Sequence, residues 1–492
     1  MVRLAAICLC LLLVACKPPD TDTLIFAVAN APGVLDPRLA GDAASERTNA
    51  LLYDRLVMLD EQGKPQPQMA TWRMLGPDHY RLSLLPSRAP FWDGRLPDTR
   101  DVAATYRSLL DPTLGSPHGG ALANVREVVV VNDSDVDFLL SQPDPSFASR
   151  LTVGIVPAQA ATGRSLGRQP LGSGPFAFVE WRDDGGVLLR RRTDGQRVAL
   201  VPVADPTMRT LKLLRGEAHL LQNDLPGELY GYLADARGLA VQEGPGTTFA
   251  YIGFNLEDSV VASRDVRAAI AHAIDRDAII RYLFGGRAQK AESVLRPQHW
   301  AGVGGLVAYP YDPQRARDLL RRAGYDEKHP LTLSYKTSTD PFRLRIAHVL
   351  QSQLAAVGID LKVRSYEWGT FFGDIKAGRF QMYSLAWVGV NTPDILRYAF
   401  HSASAPPGGA NRGRYRSAEV DALIERAERA EPAQAAQLYA AVQHRIHEDL
   451  VYVPLWYESN IAATRGLEGY VPGHDGNYRA LAHTRMTHVQ RQ

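Results

Sequence analysis

The chain has 492 residues, 45% hydrophobic and 22% charged, with a formal net charge of +2. That length exceeds a single ordinary core and supports two or three compact units, and the composition is that of a folded globular body. Positive and negative residues are interspersed, which argues against the concentrated basic stripe of a nucleic-acid binder; Arg190-Arg191-Arg192 and Arg321-Arg322 read as strand-end and helix-surface charges.

At the amino terminus Arg3 precedes an apolar run from Leu4 to Val14, long enough for a secretory leader and too short to span a bilayer. It ends Leu13-Val14-Ala15-Cys16, which resembles a bacterial lipobox. This predicts a leader over 1–15 and lipid attachment at Cys16; an ordinary leader cut nearby, with Cys16 incidental, is the alternative. Cys8, Cys10 and Cys16 are the chain's three cysteines. A processed chain therefore has no free thiol for disulfides, thiolate metal sites or cysteine nucleophiles. No later apolar run reaches transmembrane length, so the expectation is an exported body tethered to a bacterial membrane by lipid.

Leu24 to Ala29 alternates as a strand and leads into Ala31-Pro32-Gly33-Val34-Leu35-Asp36-Pro37. Asn49 to Met58 reads as a helix feeding a strand. Tyr80 to Leu85 alternates, Asp93-Gly94 suits a tight hairpin turn, and Asp98 or Thr99 can cap a helix through Val102 and Leu109. Val128–Val131 and Val136–Leu140 read as a strand pair. Gly172-Ser173-Gly174 lacks the lysine of a phosphate loop and the surroundings of a nucleophile elbow. Asp205 to Glu217 is an amphipathic helix. Phe249, Tyr251 and Gly253 alternate into Phe254-Asn255. Two helices follow, capped by Asp265 and Asp275 and stopped by Gly285-Gly286. Tyr311-Asp312-Pro313 and Asp340-Pro341 open further helices, the latter closing at Gly358. The strands Leu331–Lys336, Ile359–Val363 and Phe380–Trp387, separated by helices, imply a parallel sheet covered on both faces. Helices over 420–430 and 435–450 precede Pro454-Leu455-Trp456.

Phe254-Asn255 followed by Asp265, Arg267, Ala269, Ile270, Ala273, Ile274, Asp275 and Arg276 resembles the D-x-R-x-A-I-x-x-A-I-D-R signature of extracytoplasmic solute-binding proteins of the peptide/nickel class (family 5), which feed ABC importers. The Leu35-Asp36-Pro37, Phe91-x-Asp93-Gly94, Gly172-Ser173-Gly174-Pro175-Phe176 and Tyr311-Asp312-Pro313 stretches resemble further motifs of that family. The resemblance runs from Leu24 to about Gly469. It implies an α/β fold of the periplasmic-binding-protein type II kind, a bilobal clamshell with an extra subdomain. The first lobe would be assembled from 16–47, 168–250 and 465–492, the extra subdomain would be 48–167, and lobe III would be 251–464.

The resemblance also implies a function. The protein would be a monomer without cofactor or catalysis that encloses a small solute between its lobes. A dipeptide or oligopeptide is the first expectation; a nickel or other metal chelate, a different non-peptide solute, and reception for signalling are the alternatives. Partners would be an ABC permease, contacted directly, and its ATPase. Peptide ligands add as a strand against two segments, which correspond here to Ala31, Pro32 and Gly33 and to Trp387, Val388, Gly389, Val390 and Asn391. Trp387 is read equally well as core packing. The chain departs from the pattern twice. Pro32 has no amide hydrogen to give. Val390 stands where an acid meets the peptide ammonium; Asp394 either substitutes for that acid or caps the Pro393 turn.

His444 and His447, at helical i, i+3 spacing beside Glu448, form a candidate metal pair without a third ligand. Their other reading is a solvated helix face. No Ser-His-Asp order with a nucleophile turn, no H-E-x-x-H and no Walker loop occurs, so an enzyme finds no support in motifs.

Overall fold

The computed structural model describes residues 22–162, 165–306 and 309–487. The expected leader and Cys16 lie outside them.

Local side-chain chemistry sets most helix starts. Asp98 accepts from the Arg100 and Asp101 amides while Asp101 bonds back to the Asp98 amide, opening Thr99–Leu110 with a reciprocal cap. Asp275, Asp312 and Asp340 accept from the Ala278, Arg315 and Arg343 amides, with Pro313 and Pro341 at first helical positions. Gly285 and Gly286, at φ 60° and 79°, stop the helix Arg276–Leu283.

Three local expectations are corrected. The helix expected from Asn49 begins at Ala43, because Asp42 caps it through the Ser45 amide, and ends at Leu52. Asp265 is not a cap: its helix, Arg264–Ala273, starts behind Ser263. Asp265 lies in the first turn, near the helix's positive end, and pairs with Arg322 at 2.9 Å. Asp93-Gly94 makes a tight turn with Gly94 at φ 92°, but it closes Phe91 onto Arg95 rather than joining two strands.

An 11-stranded sheet runs through the molecule. One end is the predicted parallel unit: Leu331–Ser338 pairs parallel with both Ile359–Tyr366 and Met382–Trp387. Beyond Met382–Trp387 come two long antiparallel neighbours, Leu239–Phe254 and Tyr452–Arg465, of 16 and 14 residues. The other end holds Leu220–Gln222, Thr23–Val28, Arg197–Pro202, Val187–Arg191 and Phe176–Trp181. The boundaries expected at 250/251 and 464/465 fall inside the two long strands.

Leu239–Phe254 begins well before the alternation read from Phe249 and runs through Gly244-Pro245-Gly246. A register shift between Gly244 and Thr248 absorbs it. A β-carbon at Gly246 would lie 1.8 Å from the Glu458 carbonyl oxygen, so the close approach of the two strands requires glycine there.

Strand alternation then builds two cores. Ala250, Ile252 and Phe254 pack with Ile270, Leu319 and Leu350 on one face. Phe249 and Tyr251 pack with Tyr383, Ile424 and Val442 on the other. A separate four-stranded antiparallel sheet, in the order Ala70–Gly76, His79–Leu84, Asp135–Leu140, Val125–Val130, packs with helix Thr99–Leu110 around Tyr80, Tyr106 and Phe138.

Candidate functional site

A cavity of about 130 Å³ opens where five distant stretches meet: 61–63, 245–247, 296–299, 390–391 and His474. The first is the tip of a hairpin formed by Val57–Leu59 and Pro65–Pro67. The Asp60 carboxylate accepts from the Gln62 and Lys64 amides, both at 2.9 Å, and fixes the turn. That turn places Gly63 at φ 75° and presents the Gln62 carbonyl to the Trp300 amide at 2.9 Å. A β-carbon at Gly63 would sit 2.2 Å from His299 Nε2 and 2.7 Å from the Asn391 carbonyl oxygen. Only glycine lets the hairpin close over these two residues.

His299 is buried and has a defined tautomer. Its Nδ1 accepts from the Ala301 amide at 3.1 Å, so Nε2 carries the hydrogen donated to the Asn391 carbonyl, also at 3.1 Å. Burial pushes its pKa below the ordinary value, opposed by the Asn391 carbonyl and by Asp60.

Arg296 lines the same cavity. Its Nη1 donates to the Gly246 carbonyl at 3.2 Å, its Nη2 donates to Gln289 Oε1 at 3.1 Å, and the guanidinium lies over the Tyr457 ring. Its Nε is sealed from solvent without an acceptor. Burial lowers its pKa, opposed by Tyr457 and by Glu61, which is exposed at the rim.

The expected ligand segments are placed differently from one another. Val390 and Asn391 line the cavity. Trp387 lies against the second core, stacked on Tyr251 at 6.1 Å with the Arg412 guanidinium 4.4 Å above its ring. Val388 is exposed, and Gly389 sits in a left-handed bend at φ 66°. The Asp394 carboxylate is engaged by Arg150 Nη2 at 3.0 Å, and Arg150 Nε also meets Asp144 at 3.1 Å. Asp394 is the first residue of helix Asp394–Phe400 and caps nothing with its side chain.

Ala31, Pro32 and Gly33 are not among the cavity's lining residues. The Gly33 and Val34 amides both donate to Ser45 Oγ, at 2.9 and 3.0 Å, and Ser45 Oγ donates to Asp42. Asp36 of the Leu35-Asp36-Pro37 stretch is fully buried against Arg38 in a two-pronged pair, with contacts of 2.7 and 3.0 Å.

The sequence reading missed 61–63, 245–247, 296–299 and His474. Only Gly63 carried a local signal, its turn. A second cavity of about 180 Å³, lined among others by Glu46, Asn49, Arg55 and His118, lies apart from all of these.

The histidine pair is not drawn together. His444 is exposed, while His447 is buried with its Nδ1 at 3.0 Å from the Glu292 carbonyl, so the two do not converge. Among the described residues no cluster of three His, Cys, Asp or Glu side chains could hold a metal, and no helix is long and apolar enough to cross a membrane.

Residues 87–406 match the family model "Bacterial extracellular solute-binding proteins, family 5 Middle". The chain is 28% identical over 511 aligned positions to the probable di/tripeptide-binding protein 5 of Pseudomonas aeruginosa, covering 95% of this chain and 97% of that one. It superposes with a TM-score of 0.84 on the ABC transporter substrate-binding protein CtaP of Listeria monocytogenes, at 23% identity, covering 94% of this chain and 99% of that one. It superposes at 0.79 on the periplasmic binding protein DppA of Helicobacter pylori in complex with a peptide, at 24% identity, covering 94% and 98%. The fold is the type II-like one expected from the sequence.

Proposed function

Because the chain belongs to the bacterial extracellular solute-binding proteins of family 5, we propose that it captures a short peptide in the cleft around Asn391 and hands it to the permease of an ABC importer. Extracytoplasmic solute binding comes with the family. The observation that carries the cleft is the meeting of the 60–64 turn with His299, Trp300 and Asn391 over a cavity. A ligand touching both sides stabilises closure and leaves when the sides part. Just past a strand end, the Val390 carbonyl and the Asn391 amide are the backbone groups left for an extended chain, since the Val390 amide donates to the Thr247 carbonyl at 3.4 Å and the Asn391 carbonyl accepts from His299. The di/tripeptide relative supports the peptide reading.

The peptide leaves chemically unaltered, and the protein acts as a monomer contacting the permease directly. It is anchored through acylated Cys16, with 48–167 forming the extra subdomain and 251–464 the third lobe. With Val390 in the acid's place and Asp394 engaged by Arg150, recognition does not require a free peptide ammonium.

Calorimetry and thermal shift on the mature chain with di-, tri- and tetrapeptides and nickel chelates test the reading. Heat and stabilisation with at least one peptide class are expected, with the peptide recovered intact. Silence for every peptide class rejects the peptide, and hydrolysis rejects the absence of catalysis. Replacement of Cys16 by serine should move the protein from the membrane to the soluble fraction.

A further inference from the structure

The cavity of about 180 Å³ that lies apart from the cleft is lined by charges the fold leaves unanswered. An isolated antiparallel bridge sets Arg55 beside Gly154, and Gln68 Oε1 accepts from the Arg55 amide at 3.1 Å. Glu46, in the first turn of the helix Ala43–Leu52, lines the same space. Ser116 Oγ accepts from the His118 amide at 3.1 Å and donates to the Arg38 carbonyl at 2.7 Å. This holds His118 against Glu46, with Nε2 3.3 Å from Oε1.

Other arginines of the molecule are satisfied by the protein. Arg38 and Arg191 are paired with carboxylates, and Arg267 and Arg276 are held by several backbone carbonyls each. Arg55 differs: among the described residues its guanidinium has neither a hydrogen bond nor an ion pair, and none of its nitrogens is sealed from solvent. The Glu46 carboxylate accepts no hydrogen bond there either, and its side chain is 39% exposed. Arg55 and Glu46 therefore bring opposite charges to one cavity without pairing across it. The Thr152 hydroxyl, on the same lining, is also without a hydrogen bond among the described residues.

We infer that this cavity is a second binding site, for a small zwitterion of the free α-amino acid class. Arg55, with five donors in a planar fork, takes the carboxylate, and Glu46 takes the ammonium. Pro37 and Val153 supply an apolar wall for a short side chain. A plain anion would meet Glu46 and a plain cation would meet Arg55, so each is repelled by one side of the site. A protein cavity of about 150 Å³ holds benzene, so this space suits on the order of six to eight heavy atoms, a single small amino acid rather than a peptide. The inference does not depend on what the cleft holds.

The test is calorimetry of the mature chain with L-alanine, L-serine and L-valine, beside N-acetyl-L-alanine, L-alaninamide and inorganic phosphate. Saturable binding of at least one amino acid is expected. Each blocked form lacks one charge-assisted contact and should bind about 10- to 100-fold more weakly than alanine. Arg55→Gln should weaken alanine to a similar degree and abolish its advantage over alaninamide, with Arg55→Lys restoring part of it. Glu46→Gln should abolish the advantage over N-acetylalanine. Silence for all three amino acids overturns the inference, as does equal or tighter binding of phosphate or of either blocked form, and these comparisons need no variant to fold. Amino-acid binding untouched by both Arg55→Gln and Glu46→Gln lies elsewhere and overturns the site. A peptide screen that fails leaves this inference standing.

Discussion

The two segments that resemble a peptide-binding pair are placed differently. After the first strand, Gly33 and Val34 give their amides to Ser45, and Asp36 is locked onto Arg38. After the strand Met382–Trp387, Val390 and Asn391 face the cavity, and the Asn391 carbonyl is already a closure contact. Both segments have spent some backbone groups on the fold, Gly33 and Val34 on Ser45 and Val390 and Asn391 on Thr247 and His299, and they differ in that only the second lines the cavity.

The strongest way to break the comparison acts on the locked segment. Asp36→Ala leaves the fully buried Arg38 guanidinium without its carboxylate and should cost about 3–5 kcal/mol of stability by urea denaturation. A loss under 1 kcal/mol would mean that the first segment is not held as described. Gly63→Ala acts on the open one. The new methyl overlaps His299 and the Asn391 carbonyl, an overpacking cost of about 1–3 kcal/mol borne by the closed state. Peptide affinity should drop several-fold to a hundredfold, and the positive φ of Gly63 adds a smaller loss of ligand-free stability, about 1 kcal/mol.

Ser45→Ala frees two amides and should cost about 1–2 kcal/mol of stability. If it instead raises peptide affinity, the first segment is a masked binding edge and the contrast fails. Asp394→Asn removes one of the two carboxylates at Arg150, whose side chain is 16% exposed, leaving Asp144. A loss of about 1 kcal/mol in closure, measured as affinity, is expected.

The smallest change is with pH. His299 has its pKa lowered by burial, so the closed state binds fewer protons than an open one whose imidazole titrates normally, near about 6.5. Closure is fully stabilised above that value, weakens as pH falls below it, and levels off once pH passes the lowered pKa. Affinity titrated from pH 8 to pH 5 checks this, with His299→Gln expected to flatten the profile.

Much of the fold was legible because it is written in short-range chemistry. Asp98, Asp275, Asp312 and Asp340 announce helices within four residues of themselves, and the alternation of Phe249 to Phe254 divides the two cores without outside help. The start of that strand was not legible, because a register shift and a neighbouring strand, neither local, carry it through Gly244-Pro245-Gly246. The site was half legible. Val390 and Asn391 came from the resemblance, but the residues that close over them did not. Gly63 signals a turn without saying what the turn touches, and Arg296 joins Gly246 only across 50 positions of chain. Asp394 looked available for a ligand until the fold brought Arg150 to it across 244 positions.

The strands Leu239–Phe254 and Tyr452–Arg465 lie mid-sheet and join its two ends, the first pairing with Met382–Trp387 and the second with Leu220–Gln222. The link between the ends is a leaf spring of paired backbone that slips register twice, between Gly244 and Thr248 and between Ala250 and Tyr251. Any parting of the two ends has to bend this paired backbone, and the two slips are where it has fewest ladder bonds to strain.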